Sequence, residues 1–521
     1  MSGDMKQLML TSCMTGPDAI LAAPATELRD IILEGLAISA ATPEIFQLIC
    51  GDVDLAAKKE KAGRLADQRW LEKTTPALFE DGSGDDPEIA PGKLSLQTGR
   101  ARLLDDEAIF VLYLCRGHLH STTTPNAMDR LSDSVLIGEY LAARGMRLPA
   151  RTTLWSYLAA ISPATRASID LATVRHILGE GLDDMSQVAI DSFSVKADSA
   201  WPTDSGLLPK LLGRAFLVGN RMMERFGIRG FTGGCVPGWL KQLKSLDFSI
   251  SCNCGKPNSR STTEKLYLEV LEIATKIVER LARQLETLEP VWSGGDFMPS
   301  RQARFEQECG TVFDCLGQAV FLCEHARERI CEGKSRPAAE KVLSVSDRTA
   351  AYIKKGAREA VVGYKPQVLR TGNGFITVAE LLPGNPADSG RLLPVVTSHI
   401  DQAGVVPSRV TGDDGYSCAA TRNMLIRMGI EVVSISGSKG RKITSDEEWD
   451  SEPYVQARSA RSAVESVIWV LRHNGGLYRF SRRGLDAVRA ELQERVLAYN
   501  LSRCALVRRR KAAATSCMAA A

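Results

Sequence analysis

The sequence lacks the patterns of an exported or membrane-bound protein. Its thirteen cysteines are scattered singly apart from Cys252 and Cys254, whereas a secreted disulfide scaffold spaces its cysteines densely. No stretch approaches the ~18 to 20 consecutive apolar residues of a membrane span, and the first ten residues lack the basic start and apolar run of a signal peptide. We therefore expect reduced thiols, a cytoplasmic location and no membrane partner.

Two kinds of ligand site are also missing or poorly supported. No GxxxxGK[ST] phosphate-binding loop occurs, so we expect no dependence on ATP. Cys235, Cys252 and Cys254 have no fourth ligand at ordinary spacing, which favours free thiols over a zinc site. His118 and His120 follow an apolar helical stretch and are interpreted as loop residues rather than ligands.

The chain does have a large size and an uneven distribution of positive charge. At 521 residues, with 44% hydrophobic and 24% charged residues, it has the composition of a soluble globular protein with several domains or one large insertion. The net charge is only +3, but residues 458–511 carry 13 Arg plus Lys against 4 Asp plus Glu. This segment can bind phosphates, although a solvated basic helix ending in a tail explains the charge equally well.

The N-terminal part has helical patterns. We predict a helical region over residues 1–80, a linker from Glu80 to Lys93, and a helix-turn-helix-like DNA-binding region over 95–182. In that region Ser132 is predicted to cap a helix that ends at Ala143, and a turn leads to a second helix from Ala150.

The second of these helices carries Arg151 and Thr152, residue types that reach base edges or phosphates in a major groove. Plain packing of two short helices joined at a glycine gives the same pattern. The sequence therefore leaves both interpretations of this region open.

Strand patterns follow from residue 187 onward. A short β-favouring run contains Asp191, and further strands are predicted at 366–370, 374–382, 408–412 and 431–435. Residues 211–355 have the three- and four-residue apolar spacing of helices and are predicted to be a helical insertion. The fold class is α/β with a mixed sheet, formed by residues 183–210 and 356–485 and followed by a basic C-terminal tail at 486–521.

Three acidic residues are candidates for a metal site. Asp191 and Asp413 fall at the carboxyl ends of predicted strands, where ligands gather in α/β sheets. Phosphodiester cleavage can use two divalent ions, and Mg²⁺ prefers carboxylate oxygens, so three carboxylates from different elements suffice. We therefore predict that these residues converge with a third carboxylate in one crevice.

Glu465 is the candidate for this third carboxylate. A last long helix is predicted from about Val455 to Leu471, on which Glu465 shares one stripe with Arg458, Arg461 and Arg472. The arginines are candidate contacts to DNA phosphates. An exposed Glu–Arg pair within the helix explains the same spacing.

Trp449, in the loop before this helix, is a candidate for stacking on an unpaired base. An anchoring role for this side chain in its own loop is the alternative.

Four separated blocks of the chain occur in the order found in a known family. They are AIDSFSVKADSAWPTDSGLL (189–208), GYKPQVLRTGNGFITVAELLPGNPADSGRLLPVV (363–396), VTGDDGY (410–416) and RSARSAVESVIWVLRHNGGLYRF (458–480). Together they resemble the DDE transposases of bacterial insertion sequences, with most similarity to the group called ISNCY. The resemblance implies an RNase H-like fold and an acidic triad that binds two Mg²⁺ ions, with Mn²⁺ as a substitute.

The resemblance also assigns residues. The triad falls on Asp191, on Asp413 before x-Gly-Tyr, and on Glu465 of the last helix. Asp414 competes for the second role, but the spacing to Gly415 and Tyr416 favours Asp413. The family signature Tyr-x2-Arg-x3-Glu-x6-Lys is matched by Arg461 and Glu465, with Arg458 in place of the tyrosine and Arg472 in place of the lysine.

The function implied by the resemblance is binding of insertion-sequence ends, metal-dependent cleavage and joining to target DNA. The implied partners are double-stranded DNA, at transposon ends and target, and further copies of the chain in a homodimer or higher oligomer on DNA. The bacterial nucleoid is the implied location. A structure-specific nuclease or resolvase on the same fold, and a non-catalytic DNA-binding domesticated transposase, are the alternatives.

Overall fold

The computed structural model describes residues 26–74, 102–119, 124–199, 201–225, 234–288, 297–334, 336–337, 340–354 and 359–520. The predicted linker from Glu80 to Lys93 lies outside these residues. The helices before the insertion are α1 (Glu27–Ala41), α2 (Glu44–Thr74), α3 (Asp106–His118), α4 (Thr124–Asp133), α5 (Val135–Ala143), α6 (Arg151–Ala160) and α7 (Pro163–Gly179). Those that follow strands β1 (Gln187–Ser192) and β2 (Val195–Lys196) are α8 (Asp204–Arg225), α9 (Val236–Asn253), α10 (Arg260–Glu286) and α11 (Pro299–Cys331).

The rest of the chain alternates strands and helices. The strands are β3 (Ala351–Ile353), β4 (Val361–Tyr364), β5 (Pro366–Thr371), β6 (Ile376–Leu381), β7 (Arg409–Gly412) and β8 (Val432–Ile435). The helices are α12 (Leu392–Ala403), α13 (Ala419–Arg427), α14 (Ser438–Lys442), α15 (Asp446–Trp449), α16 (Glu452–Ala460), α17 (Ser462–His473) and α18 (Leu485–Ala520), with 3-10 turns at Asp388–Gly390 and Asp414–Tyr416.

The described residues group into two compact units. The first takes residues from 1–56, 95–198 and 349–521, and the second takes residues from 57–94 and 199–348. In the second unit α8, α9, α10 and α11 pack around one apolar core, as their three- and four-residue apolar spacing predicts. Representative core residues are Leu211, Val270, Ile277, Val312 and Leu322.

A five-stranded mixed sheet forms the centre of the first unit, in the order β6-β5-β1-β7-β8. Strand β1 pairs antiparallel with β5 and parallel with β7, and β7 pairs parallel with β8. One face is covered by α12 and α13, whose Val395, Val396 and Leu425 share a core with Val188 and Ile190. On the other side α16 packs on β7 and β8, and α17 packs on β1 and β5. The mixed α/β sheet predicted from the sequence is therefore present.

A second, three-stranded sheet has the order β2-β4-β3, with antiparallel pairing throughout. No pattern in the sequence predicts this sheet. Its strands are two to four residues long, which is too short for an alternating apolar pattern to be recognised.

Helix α18 replaces the predicted basic tail. It is buried at Val488, Leu492, Val496, Leu501 and Cys504, and it packs against α1, α3, α7 and β6. Basic residues are interspersed with these apolar positions. A count of charges over the segment therefore does not reveal the helical spacing of the apolar residues.

Helices α3 and α18 approach each other unusually closely. A Cβ atom added at Gly117 would lie 2.2 Å from the carbonyl oxygen of Glu494, so this contact requires glycine. Beside it the buried carboxylate of Glu494 pairs with Arg116 at 2.5 Å and Arg482 at 2.5 Å. The Glu494 carboxylate therefore joins α3, α18 and the segment before α18.

The two helices predicted as a helix-turn-helix are α5 and α6. Ser134, not Ser132, caps α5: its hydroxyl accepts from the Ile137 amide, whereas the Ser132 hydroxyl donates to the Met128 carbonyl. The turn that follows uses a left-handed residue, Gly145, with φ of 68°. The predicted single last helix is also divided, because α16 ends at Ala460 and α17 begins at Ser462.

No single helix in the described part of the chain is long and apolar enough to cross a membrane. Helix α1 and the part of α2 up to Leu71 reach the required composition only as a pair bent by 97°. Ile31, Ile32 and Ile49 of these helices lie in the helical core of the first unit.

Asp170 of α7 provides a test of this packing against α18. Burial raises the pKa of its carboxyl to about 7, while Gln493 of α18 donates a hydrogen bond of 3.3 Å to it. Between about pH 4 and pH 7 the folded chain holds a proton that the unfolded chain releases, so the stability from this group falls as pH rises. We expect Asp170→Asn to raise the melting temperature, and the gain over the parent to grow from pH 5 to pH 8. A gain independent of pH would contradict the raised pKa.

Candidate active site

Strand pairing brings Asp191 and Asp413 side by side. The parallel register of β1 and β7 matches Val188 with Val410 and Ala189 with Thr411. Continued by two residues, it places Asp191 opposite Asp413, where φ of −84° and ψ of 176° keep the chain extended. Neighbouring strands lie about 4.8 Å apart, so the two carboxylates can share one ligand.

The pleat decides which side of the sheet the carboxylates occupy. Val188 and Ile190 point into the core beneath α12, so Asp191 belongs to the opposite face. Thr411 is on the same face as Asp413, and its hydroxyl donates to the Ala457 carbonyl of α16. The two aspartates therefore lie on the side of the sheet that α16 and α17 cover, and both are half-buried.

Local hydrogen bonds orient the two carboxylates. Oδ1 of Asp191 accepts from the Ser192 amide at 2.7 Å, and Oδ1 of Asp413 accepts from the Gly415 amide at 2.9 Å. Asp414 is engaged differently, because its Oδ1 accepts from the amides of Lys439 at 2.7 Å and Gly440 at 3.1 Å. Asp414 thus caps the start of α14, which leaves Asp413 as the carboxylate beside Asp191.

Glu465 lies on α17, but its side chain is 57% exposed and pairs with Arg461 at 2.6 Å. This is the i,i+4 pair that the spacing predicts. Among the described residues, no three His, Cys, Asp or Glu side chains are grouped closely enough to hold a metal ion. The structure therefore brings two of the three predicted carboxylates together and leaves Glu465 outside that pair.

Asp388, which the sequence analysis does not identify, adjoins the two aspartates. Its carboxylate accepts from Lys365 Nζ at 2.9 Å, from Gln367 Nε2 at 3.0 Å and from the Ser192 hydroxyl at 3.2 Å. Its Cβ also lies 3.5 Å from the point that a Cβ atom added at Gly415 would occupy. Asp388 therefore contacts the residue after Asp191 and the turn after Asp413.

The buried phenol of Tyr416 reports how close these carboxylates are. Burial raises the pKa of Tyr416, and the charges of Asp388, Asp191 and Asp413 raise it further. The charges of the same three carboxylates thus act on one neutral hydroxyl. No sequence signal reveals this, since Asp388 becomes a neighbour only through the folded sheet.

Two of the predicted DNA-binding arginines have internal contacts. Nη2 of Arg472 donates to the Ser194 carbonyl at 2.8 Å, just after β1. The guanidinium of Arg458 lies 4.4 Å from the ring centroid of Trp449. On the same ring Arg441 lies at 5.2 Å and the Tyr454 ring at 5.3 Å, so Trp449, which ends helix α15 and does not lie in a loop, is held by its neighbours in the chain.

The predicted contacts on α6 remain available to a ligand. Arg151 and Thr152 are exposed at the first turn of this helix. Cys235, Cys252 and Cys254 are exposed free thiols. His118 lies at the end of α3, and His120 is outside the described residues.

Residues 331–501 match a family model described as a transposase DDE domain. The matched segment contains strands β3 to β8, Asp413 and Glu465, whereas Asp191 lies upstream of it. No curated protein and no solved structure matches the chain. The family match supports a DDE transposase, a kind of DNA-cutting enzyme that generally uses divalent metal ions.

The buried contacts of Asp388 lead to a stability prediction. Asp388→Ala leaves the Lys365 ammonium, 7% exposed, without its carboxylate, and we expect the free energy of unfolding to fall by about 3 kcal/mol. Glu465→Ala removes an exposed helical pair and should cost less than about 0.5 kcal/mol. Urea denaturation of the two variants provides the comparison. Equal small losses would show that the Lys365–Asp388 pair is solvated.

Proposed function

We propose that this chain is a transposase of a bacterial insertion sequence, of the ISNCY group, that binds the element's ends, cleaves them and joins them to target DNA. The observation that carries the proposal is the parallel pairing of β1 with β7. Continued by two residues, its register supports a pair formed by Asp191 and Asp413, although only Asp413 lies in the segment that matches the transposase domain. The sheet that does this supports an RNase H-like catalytic domain.

The residues at this edge fit a divalent cation. Asp191 and Asp413 supply oxygen donors from adjacent strands, which suits Mg²⁺ or Mn²⁺. Glu465 is proposed as the third ligand because α17 packs on β1 and its exposed pair with Arg461 is weak enough to exchange. Bound metal would activate the attacking oxygen and stabilise the leaving one.

The protein's own groups position the DNA. Arg461, Arg458 and Arg472 are proposed to lie along the scissile strand, and Arg151 and Thr152 are proposed to contact DNA at the helix-turn-helix-like region. Trp449 is proposed to support this surface through Arg458, since its ring is already occupied. Oligomerisation on DNA and location at the nucleoid belong to the same proposal.

The triad can be tested by isosteric substitution. Asp191→Asn, Asp413→Asn and Glu465→Gln should each abolish Mg²⁺-dependent cleavage and strand transfer while retaining DNA binding, because each carboxylate holds metal and not DNA. Asp486→Asn is a matched control, since its carboxylate is 93% exposed and lies on α18. Cleavage and joining are measured on DNA that carries the inverted repeats flanking the gene.

Each outcome has a distinct meaning. Substantial cleavage by Asp413→Asn, or activity in excess chelator, would contradict the metal scheme. Cleavage without joining would favour the nuclease or resolvase alternative. Retained activity in Glu465→Gln, with loss in the two aspartate variants, would remove Glu465 from the site.

Arg461 and Arg472 give a second test. If Arg461 contacts a phosphate, Arg461→Ala should lower DNA affinity for all sequences. It should also reduce the magnitude of the slope of log affinity against log salt by about 0.9. Arg472→Ala should lower both DNA affinity and thermal stability, because Arg472 also holds the chain after β1 through the Ser194 carbonyl. Both variants are measured for DNA affinity and melting temperature. Unchanged affinity in Arg461→Ala would reduce this residue to a helix-stabilising partner of Glu465.

A further inference from the structure

We propose that an open cleft beside α6 binds one unpaired nucleotide of a DNA strand, with the base on Trp155 and the phosphate at Arg151. The cleft has a volume of about 540 Å³ and is lined by residues of α3, α4, α6 and α18, by Asp198 and by the segment 481–483. It is separate from the aspartate pair. The proposal rests on the proposed function only in taking DNA as the ligand.

The floor of the cleft suits a flat apolar ring. Leu131, Leu154 and Leu158 line it and are only 2 to 3% exposed, while Trp155 beside them is 40% exposed. Exposed tryptophans flanked by cations are typical stacking surfaces for nucleobases, because every base offers a π-face. The volume lies within the range of small-ligand sites, about 300 to 1,000 Å³.

The aromatic ring is held in place before any ligand binds. The guanidinium groups of Arg116 and Arg482 lie 5.7 and 5.9 Å from the Trp155 ring centroid. Both arginines are fixed by Glu494, at 2.5 Å each. A ring restrained in this way loses little conformational entropy when a base stacks on it.

One cation of the cleft, Arg151, has no acidic partner among the described residues. Arg151 is exposed, and no carboxylate of the described residues lies within ion-pair distance of it. Arg116, whose side chain is only 8% exposed, lines the cleft with a buried Nε that has no hydrogen-bond partner among the described residues. Five arginines face three carboxylates in this cleft, and this excess of positive charge favours a phosphate-bearing ligand.

The geometry selects an unpaired nucleotide over a paired one. Bases within a duplex are stacked on each other and reach a side-chain ring only after extrusion. The ring of Trp449 has closer contacts, with Arg458 at 4.4 Å and Tyr454 at 5.3 Å, whereas the two guanidinium groups beside Trp155 lie 5.7 and 5.9 Å from its ring centroid. Trp155 has no such aromatic neighbour in the cleft, which is lined instead by aliphatic and charged residues.

The test measures binding of the full chain to defined probes by fluorescence anisotropy. The probes are a 20-nucleotide single strand of mixed sequence, the same strand with abasic sites, its 20-base-pair duplex, and deoxynucleoside monophosphates as competitors. Trp155→Ala should weaken binding of the intact single strand about tenfold, as expected for the loss of one stacked base. It should leave binding of the abasic strand unchanged, and Trp155→Phe should restore most of the affinity.

Arg151→Ala should weaken both single strands and lower the magnitude of their salt slope by about 0.7. Arg427→Ala is the matched control, because Arg427 is an exposed arginine of α13 outside the cleft. Competition by monophosphates alone, with no added effect of strand length, would identify a free nucleotide as the ligand and overturn the strand assignment.

Other results also overturn the proposal. These are equal losses by Trp155→Ala on intact and abasic strands, no loss in any cleft variant, and no binding of the single strand by the parent. If the parent shows metal-dependent cleavage but the cleft variants bind DNA as the parent does, the cleft proposal fails and the proposed function stands. If the cleft variants lose binding but Asp191→Asn and Asp413→Asn cleave fully, the cleft proposal stands and the proposed function fails.

Discussion

The parallel pairing of β1 with β7 is the constraint on which the candidate active site depends. It fixes Asp191 and Asp413 on the same face of adjacent strands, although they are far apart in sequence. A slip of one residue would turn Asp191 into the core and expose Ile190, whose side chain is fully buried. The apolar residues Val188, Ile190 and Val410 therefore specify the position of the carboxylates as firmly as any contact within the site.

The N-terminal helices and α18 share one core, and α18 links α5 and α6 to the sheet. Leu497, Ala498 and Leu501 of α18 belong to the cluster that contains the buried face of α3. The Glu494 ion pairs and the glycine contact at Gly117 strengthen the same junction. An N-terminal fragment that ends before the sheet would expose this core. We infer that α18 is needed to hold α6 in its position.

The parts of the structure that follow from local patterns could be predicted from the sequence. The long helices of the second unit and strands β1, β5 and β7 have sequence patterns that predict them. Asp191 and Asp413 could be proposed because they fall near the carboxyl ends of predicted strands. Asp388 could not be predicted, because its role arises from contacts with Ser192, Lys365 and Gln367, which the chain brings together only on folding. The break at Arg461 leaves no pattern either, since that residue itself keeps helical dihedrals.

The choice of a third carboxylate is decided by what each candidate would have to give up. Oδ1 of Asp388 is held by Gln367 and by the Lys365 ammonium, which is 7% exposed, and moving the carboxylate away would leave a buried charge unpaired, at a cost of about 3 to 5 kcal/mol. Glu465 would give up only the pair with Arg461, which is exposed and worth about 0.3 to 0.5 kcal/mol. A cation beside Asp191 and Asp413 would therefore recruit Glu465 at far lower cost. Asp388 therefore positions the ends of β1 and β7, whereas α17 carries the carboxylate that can turn towards the cation.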